Sequence, residues 1–166
     1  MLTIKQLNSL SITEFTDVLG EIFEESAWIA AACALERPFT SITDLHQHMV
    51  AIVQRSSHSL QLNLLNAHPN LGVKIAMSHS SSREQQAAGL KNLTSEEYEA
   101  FVLLNTRYYQ KFGFPFIIAV RGKDKHVILA EMKQRINNDE SLEFLAALSE
   151  VYKIALFRLH DKIKQD

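Results

Sequence analysis

Apolar residues recur at intervals of three and four positions along most of the chain, a spacing that places them on one face of an α-helix. It is clearest near the carboxyl end, where residues 145–159 carry one apolar stripe. Several predicted helices also begin with a Ser or Thr followed three positions later by an acidic residue, the pattern of a helix N-terminal cap. The predicted helices cover residues 11–23, 24–35, 41–67, 81–89, 94–112, 124–136 and 139 onward, after a short turn at 3–8.

Residues 114–120 are the one strand-like stretch, because aromatic and aliphatic side chains follow one another there without a helical period. A single strand has no partner with which to form a sheet, so we expect an extended segment buried among helices. The sequence therefore predicts an all-α fold, a single domain over residues 1–166. It has about eight helices and one extended, strand-like core segment near 114–120.

The charge balance gives no general electrostatic reason to expect nucleic-acid binding, since 17 Lys and Arg residues are matched by 19 Asp and Glu residues. No apolar run approaches the roughly 18 to 20 residues that span a bilayer, and the first ten residues do not resemble a signal peptide. The carboxyl end, Lys164-Gln165-Asp166, is not a peroxisomal signal of the Ser-Lys-Leu type. These features predict a cytoplasmic protein that binds neither nucleic acid nor a membrane.

The seven histidines and the single Cys33 form no recognisable metal-binding pattern. No His-x-x-x-His pair occurs, and one cysteine cannot complete a zinc site. Cys33 lies in an Ala-rich helical stretch, where a buried apolar role is favoured over a nucleophilic one. The sequence therefore predicts no metal ion.

His68 is the first candidate for chemistry, because it ends a predicted helix and Pro69 follows it directly. Proline disfavours the helical conformation in the preceding residue. A His at a helix carboxyl end meets the negative end of the helix dipole, which favours the protonated ring and suits a general acid or base. The simpler alternative is that His68 only caps the last helix carbonyls.

The start of the predicted helix at 81–89 is the second candidate, and there Ser81 and Glu84 have the spacing of a capping box. In that interpretation the two side chains only satisfy each other's backbone N–H groups. The N–H groups at a helix start also bind anions or carbonyls, and Glu84 and Gln85 both project near that end. The sequence leaves both interpretations open.

The segment from Lys111 to Gly122 is the third candidate. Phenylalanines alternate there with Gly and Pro, and aliphatic residues follow, so the main chain supplies the hydrogen-bonding groups. A planar ligand rich in amides is one partner for those groups, with Arg121 available for a carboxylate. The alternative is a connector that crosses the core and ends at a surface arginine.

Taken together, these motifs resemble the family of 2-oxo-4-hydroxy-4-carboxy-5-ureidoimidazoline (OHCU) decarboxylases, which act in the degradation of urate to allantoin. The resemblance spans nearly the whole chain, and the order of its motifs is specific. The motifs are Phe23-Glu24-Glu25-Ser26-Ala27-Trp28, Arg37-Pro38-Phe39, Ala67-His68-Pro69, Ser81 with Glu84-Gln85, Ala88-Gly89-Leu90, Asn105 with Tyr108, and Phe112-Gly113-Phe114-Pro115-Phe116.

The resemblance implies a carboxy-lyase, an all-helical homodimer that acts on the small heterocycle OHCU without a cofactor and forms (S)-allantoin and CO2. By this resemblance His68 and Glu84 match the catalytic pair. The chain departs from the family's usual pattern by having Asn70 where Asp is common. The implied substrate-binding set consists of Pro69, Ser81, Ser82, Arg83, Glu84, Gln85, Arg121 and the main chain of Phe116, Ile117, Ile118, Ala119 and Val120.

Two other functions fit the same residues. A helical adaptor module would bind a partner through residues 112–121 and would expose an apolar patch around Phe114 and Phe116. A hydrolase would use His68 and Glu84 to open a ring and would release no CO2.

Overall fold

A computed structural model describes residues 1–73 and 77–165 of the chain. Within these residues it contains nine α-helices and two short β-strands, so the all-α prediction is confirmed. The strands were not predicted: β1 (Leu2–Thr3) pairs in parallel with β2 (Ile163–Lys164). The helices are α1 (Ile4–Asn8), α2 (Ile12–Leu19), α3 (Ala27–Ala34), α4 (Ile42–Gln54), α5 (His58–Asn66), α6 (His79–Ala87), α7 (Ser95–Phe112), α8 (Lys125–Arg135) and α9 (Glu140–Lys162).

Side-chain caps start several helices where the sequence predicts them. Ser11 and Glu14 form a capping box at α2, and Thr94 and Glu97 form one at α7. The hydroxyl of Ser41 accepts a backbone N–H at the start of α4. A cap of this kind stabilises a helix by about 1 kcal/mol, because it satisfies an N–H group that has no partner inside the helix.

Helix boundaries differ from the prediction in the first half of the chain. α2 ends at Leu19 and α3 does not begin until Ala27, whereas the predicted helices reach Phe23 and start at Glu24. The predicted helix over 41–67 is two helices, α4 and α5, because the side chain of Ser57 caps a new start. The apolar spacing continues across this break, so periodicity alone does not reveal it.

The described residues group into two compact units, Met1–Ala67 with Tyr152–Asp166 and His68–Val151, and the division falls inside α9. The single domain over residues 1–166 therefore stays a prediction. In the first unit α2 packs against α3, and Cys33 is fully buried. Burial raises the pKa of its thiol to about 12.

The second unit, His68–Val151, contains every residue that the sequence predicts for the site. Its core is aromatic, with Tyr108 lying edge-on to the rings of Phe114 and Phe116. Among the described residues, none of the helices combines the length and the apolar composition that crossing a membrane requires.

Candidate active site

His68 is buried, with 8% of its surface exposed, and follows Ala67, the C-cap of α5. The N–H of Ala67 donates to the carbonyl of Asn63, so the helical hydrogen bonds run up to the residue before His68. Pro69, half-buried, then turns the chain out of the helix. The imidazole is thus attached to a fixed helix end, as the sequence predicts.

The loop after His68 is held from two sides by buried amide side chains. The N–H of Gly72 donates to Gln85 Oε1 at 3.1 Å, and Gln85 Nε2 donates to the carbonyl of Asn70 at 3.3 Å. Asn105 Nδ2 donates to the carbonyl of Leu71 at 2.9 Å. Gln85 and Asn105 are only 2% and 3% exposed, so water does not compete for these bonds.

These bonds connect the loop to the helix that carries the second predicted catalytic residue. Glu84 directly precedes Gln85 in α6, and His68 lies two positions before Asn70. The side chain of Gln85 therefore links the loop that follows His68 to the helix that carries Glu84. The sequence predicts Gln85 as a substrate-binding residue, and in the structure both ends of its amide contact the backbone of the loop.

The N-cap of the helix that carries Glu84 lies three residues before the predicted cap at Ser81, so the predicted capping box of Ser81 with Glu84 is wrong. Ser78 is the N-cap, and its hydroxyl accepts the N–H of Ser81 at 3.1 Å. The physical reason is that Ser78, Ser80, Ser81 and Ser82 can all cap a helix, and the earliest cap gives the longest helix. Glu84 consequently lies inside α6, and the interpretation that it merely caps Ser81 no longer applies.

The faces of α6 separate the other predicted residues. Ser81 and Gln85 are four positions apart, which places them on one side of the helix, and both are buried. Ser82 and Glu84 are partly exposed, and Arg83 is exposed. The structure therefore places Ser81 and Gln85 on the inner side of α6, leaves Ser82 and Glu84 partly exposed, and leaves Arg83 at the surface.

Residues 114–120 form a continuous buried segment between α7 and α8 and belong to neither a helix nor a strand. Phe114 is 3% exposed and Phe116 is 1% exposed. The buried core segment is therefore confirmed, and the exposed apolar patch that an adaptor module requires is not found at these two residues. Arg121, which follows the segment, is exposed.

The main chain of this segment has few protein partners. Over residues 1–73 and 77–165, the N–H groups from Phe116 to Val120 donate no hydrogen bond. Of the carbonyls, Ile117 accepts from Arg135 Nη1 at 2.8 Å and Val120 accepts from the N–H of Lys123 at 3.0 Å. More than nine in ten buried backbone groups in proteins are paired, so a row of N–H groups without acceptors in a buried segment indicates a place for a ligand or water.

A network of buried charged groups supports this segment, and sequence reasoning missed it. Glu143 is fully buried, and its Oε1 accepts hydrogen bonds from Tyr108 and from Arg135. Burial and the neighbouring Glu143 carboxylate raise the pKa of the Tyr108 hydroxyl above its usual value. No local pattern could reveal the network, because its members lie on α7, α8 and α9.

Two further features of this unit bear on what it could bind. A cavity of about 420 Å³ opens beside Gly72, with Leu90, Leu93 and Tyr98 in its wall, and none of the predicted site residues lines it. In the part of the chain that the structure describes, no cluster of His, Cys, Asp and Glu side chains could hold a metal ion.

A family model described as OHCU decarboxylase matches residues 8–160 of the chain. The chain belongs to the OHCU decarboxylase family. The resemblance carried by the His-Pro, Glu-Gln and Phe-Gly-Phe-Pro-Phe motifs is thus confirmed. Family membership does not by itself assign a role to any side chain, so the site residues stay predictions.

Relatives of different lengths match nearly the whole chain. The uric acid degradation bifunctional protein PucL of Bacillus subtilis (strain 168) is 48% identical over 165 residues, which are 99% of this chain and 33% of that protein. The 2-oxo-4-hydroxy-4-carboxy-5-ureidoimidazoline decarboxylase of Haloferax volcanii is 41% identical over 165 residues, 99% of this chain and 98% of that protein. This chain therefore spans about a third of the Bacillus relative and almost all of the Haloferax relative.

A solved structure has the same fold. The crystal structure of (S)-allantoin synthase superimposes with a TM-score of 0.82 at 37% sequence identity, and the match covers 98% of this chain and 54% of that chain. This chain therefore shares the fold of the matched part of that protein.

Proposed function

We propose that the chain is a cofactor-independent OHCU decarboxylase that forms (S)-allantoin and CO2 in urate degradation. The observation that carries the proposal is the buried segment 116–120, whose backbone N–H groups have no acceptor among residues 1–73 and 77–165. OHCU has ring, ureido and carboxylate oxygens that would accept such N–H groups. Membership of the OHCU decarboxylase family supports the same substrate.

The reaction needs no external electron acceptor. When the bond between the ring carbon and the carboxylate breaks, its electron pair moves onto the ring carbon, and the adjacent imine of the substrate accepts it. The imine nitrogen takes up a proton, the hydroxyl loses its proton as the ring carbonyl forms, and the neighbouring carbon gains a proton on one face. One proton is consumed overall, so the protein has to supply orientation, proton transfer and control of the face.

His68 and Glu84 are the groups that we assign to this proton transfer. His68 exchanges a proton with the substrate hydroxyl while CO2 leaves, and Glu84 orients the substrate and assists delivery of the ring proton. The support is that His68 is buried at a helix end and that Gln85 ties its loop to the helix of Glu84. A purely capping role for Glu84 with Ser81 is inconsistent with the start of α6 at His79.

The remaining predicted residues would hold the substrate. Arg121, at the end of the buried segment, would pair with the carboxylate. An apolar pocket around Phe116 would favour loss of CO2 by weakening the hydration of that carboxylate. The other proposed contacts are Pro69, Ser81, Ser82, Arg83, Gln85 and the main chain of Ile117, Ile118, Ala119 and Val120.

The proposal includes a homodimer, as the family resemblance predicts, and a cytoplasmic location. Sedimentation equilibrium measures the first, and fractionation of the source cells measures the second. The proposal also includes a single domain over residues 1–166, for which one cooperative unfolding transition is expected.

Circular dichroism of freshly prepared OHCU tests the catalytic assignment, because the spontaneous reaction gives racemic allantoin and an enzyme gives only the S form. His68→Ala is expected to lower the rate of optically active product by about 10²- to 10⁴-fold, the usual contribution of a general acid or base. Glu84→Gln is expected to lose activity strongly at an unchanged melting temperature. His126→Ala, at an exposed histidine of α8, is the matched control.

The assignment is wrong if the His68→Ala protein forms optically active allantoin as fast as the parent. Product analysis separates the ring hydrolase from the decarboxylase, because hydrolysis of OHCU releases no CO2.

A further inference from the structure

We propose that Arg135 is a positioning residue that aims the backbone N–H of Ile118 at the substrate. The link to the substrate rests on the proposed function, whereas the contacts themselves do not. The guanidinium of Arg135 lies on the inner side of the second unit, and its side chain is 14% exposed. It reaches the segment 116–120 by two independent contacts.

The first contact fixes a carbonyl. Arg135 Nη1 donates to the carbonyl oxygen of Ile117 at 2.8 Å. Among the described residues, the only cis peptide bond is the one before Pro38, so the bond between Ile117 and Ile118 is trans. In a trans peptide the carbonyl and the following N–H point in opposite directions. Holding the Ile117 carbonyl on Arg135 therefore turns the Ile118 N–H away from Arg135, and that N–H has no acceptor among the described residues.

The second contact fixes a ring. The guanidinium carbon of Arg135 lies 4.4 Å from the centroid of the Phe116 ring, so the cation stacks on the aromatic face. Phe116 is also held edge-on by Tyr108, with 5.3 Å between ring centroids. The residue before Ile117 is thereby packed between two groups, and the peptide that carries the Ile118 N–H cannot rotate without breaking one of these contacts.

The guanidinium itself is held by a carboxylate. Glu143 Oε1 accepts from Arg135 Nε at 2.9 Å and from Arg135 Nη2 at 2.6 Å, and Glu143 Oε2 accepts from Asn138 at 3.0 Å. Tyr108 donates its hydroxyl to the same Oε1 at 2.5 Å. Glu143 thus occupies the edge of the guanidinium formed by Nε and Nη2 and leaves Nη1 for Ile117.

Only an arginine can make these contacts together. Its planar group has five N–H donors in a fixed arrangement, so it binds a carboxylate on one side, donates to a carbonyl on the other and stacks on a ring. A lysine in its place would keep the charge opposite Glu143 but has a single compact ammonium group. Arg135→Lys should therefore keep the ion pair and lose the carbonyl contact and the stacking.

Three measurements test this role, with Arg107→Lys, at an exposed arginine of α7, as the matched control. In the ligand-free protein, the carbonyl carbon of Ile117 is expected to change its NMR shift in Arg135→Lys and not in Arg107→Lys. With OHCU as substrate, Arg135→Lys is expected to raise KM about tenfold with a smaller change in kcat, the effect of one weakened hydrogen bond to the substrate. In the wild-type protein, (S)-allantoin is expected to shift the amide proton of Ile118.

An unchanged Ile117 carbonyl shift in Arg135→Lys would overturn the proposal, as would a lower melting temperature with an unchanged KM. If the Ile117 carbonyl shift changes in Arg135→Lys but the wild-type protein forms no allantoin, the contact is supported and only the proposed function is contradicted. If Arg135→Lys does not fold, the wild-type protein is measured instead. The hydrogen bond then predicts a scalar coupling between a guanidinium nitrogen of Arg135 and the carbonyl carbon of Ile117, and absence of that coupling would overturn the proposal.

Discussion

The Gln85 amide offers a test of how the loop after His68 is held. Gln85→Glu keeps the size of the side chain and an oxygen that can accept the N–H of Gly72. It replaces the Nε2 group that donates to the Asn70 carbonyl with a second oxygen. At pH 8 a buried carboxylate would then lie against a carbonyl, at a position that is 2% exposed.

The expected loss of stability follows from these contacts. Losing the hydrogen bond costs about 0.5 to 1.5 kcal/mol, and leaving the buried carbonyl without a donor costs about 1 to 3 kcal/mol. The sum is about 1.5 to 4.5 kcal/mol at pH 8, which lowers the melting temperature of a chain of this size by about 3 to 18 °C. Gln86→Glu introduces the same charge at the exposed neighbouring position of α6, where less than about 0.5 kcal/mol is expected.

The loss should depend on pH in a defined direction. Burial raises the pKa of the new carboxyl in the folded protein above the value of about 4.3 in the unfolded chain. Below about pH 4.3 the carboxyl is protonated in both states, carries no charge and can donate to Asn70, so the penalty is small. As the pH rises through the folded pKa, the penalty grows to its full value.

Thermal unfolding of both variants between pH 4.5 and pH 8 measures this dependence. Other groups titrate equally in the two proteins, so the difference between their melting temperatures isolates position 85. Equal melting temperatures at pH 8, or a difference that stays constant with pH, would refute the proposed support of the loop by Gln85.

Two further predictions concern single positions. Gly72→Ala is expected to lower the free energy of unfolding in urea more than Gly89→Ala. Both glycines have φ above +70°, but a Cβ at Gly72 would lie 3.0 Å from side-chain atoms of Leu93 and Phe101, whereas a Cβ at Gly89 meets nothing within 4 Å. Equal losses of stability would contradict this expectation. Cys33 is expected to resist alkylation by iodoacetamide at pH 8 in the folded protein, because the side chain is buried and burial raises the pKa of its thiol to about 12. Rapid labelling, measured by mass spectrometry, would contradict that burial.

The sequence predicts those parts of the fold that depend on neighbouring residues. The capping box of Thr94 and Glu97 is correct because both partners lie within one helical turn. The starts of α5 and α6 are missed because serines occur in groups at both places, and every serine can cap a helix. The choice among them depends on packing that spacing does not encode.

The same distinction applies to the site. The segment near 114–120 is found because its composition differs from that of the helices around it. The sequence does not predict the contact from Arg135 to Ile117, because a basic residue in the last turn of a helix is expected to face solvent and its own helix end. A long-range contact to a main-chain carbonyl leaves no trace in the side-chain pattern.

The short parallel pair β1 and β2 places two segments side by side that lie about 160 positions apart in the sequence. Leu2 lies opposite Ile163 and Thr3 opposite Lys164, so about 6 Å separate the Cα atoms of Leu2 and Lys164 at the usual spacing of paired strands. A peptide of a few residues could join these positions without disturbing the ladder. Such a cyclised chain would have fewer unfolded conformations, and new termini could then be opened in a surface connection such as Ser56–Ser57, between α4 and α5.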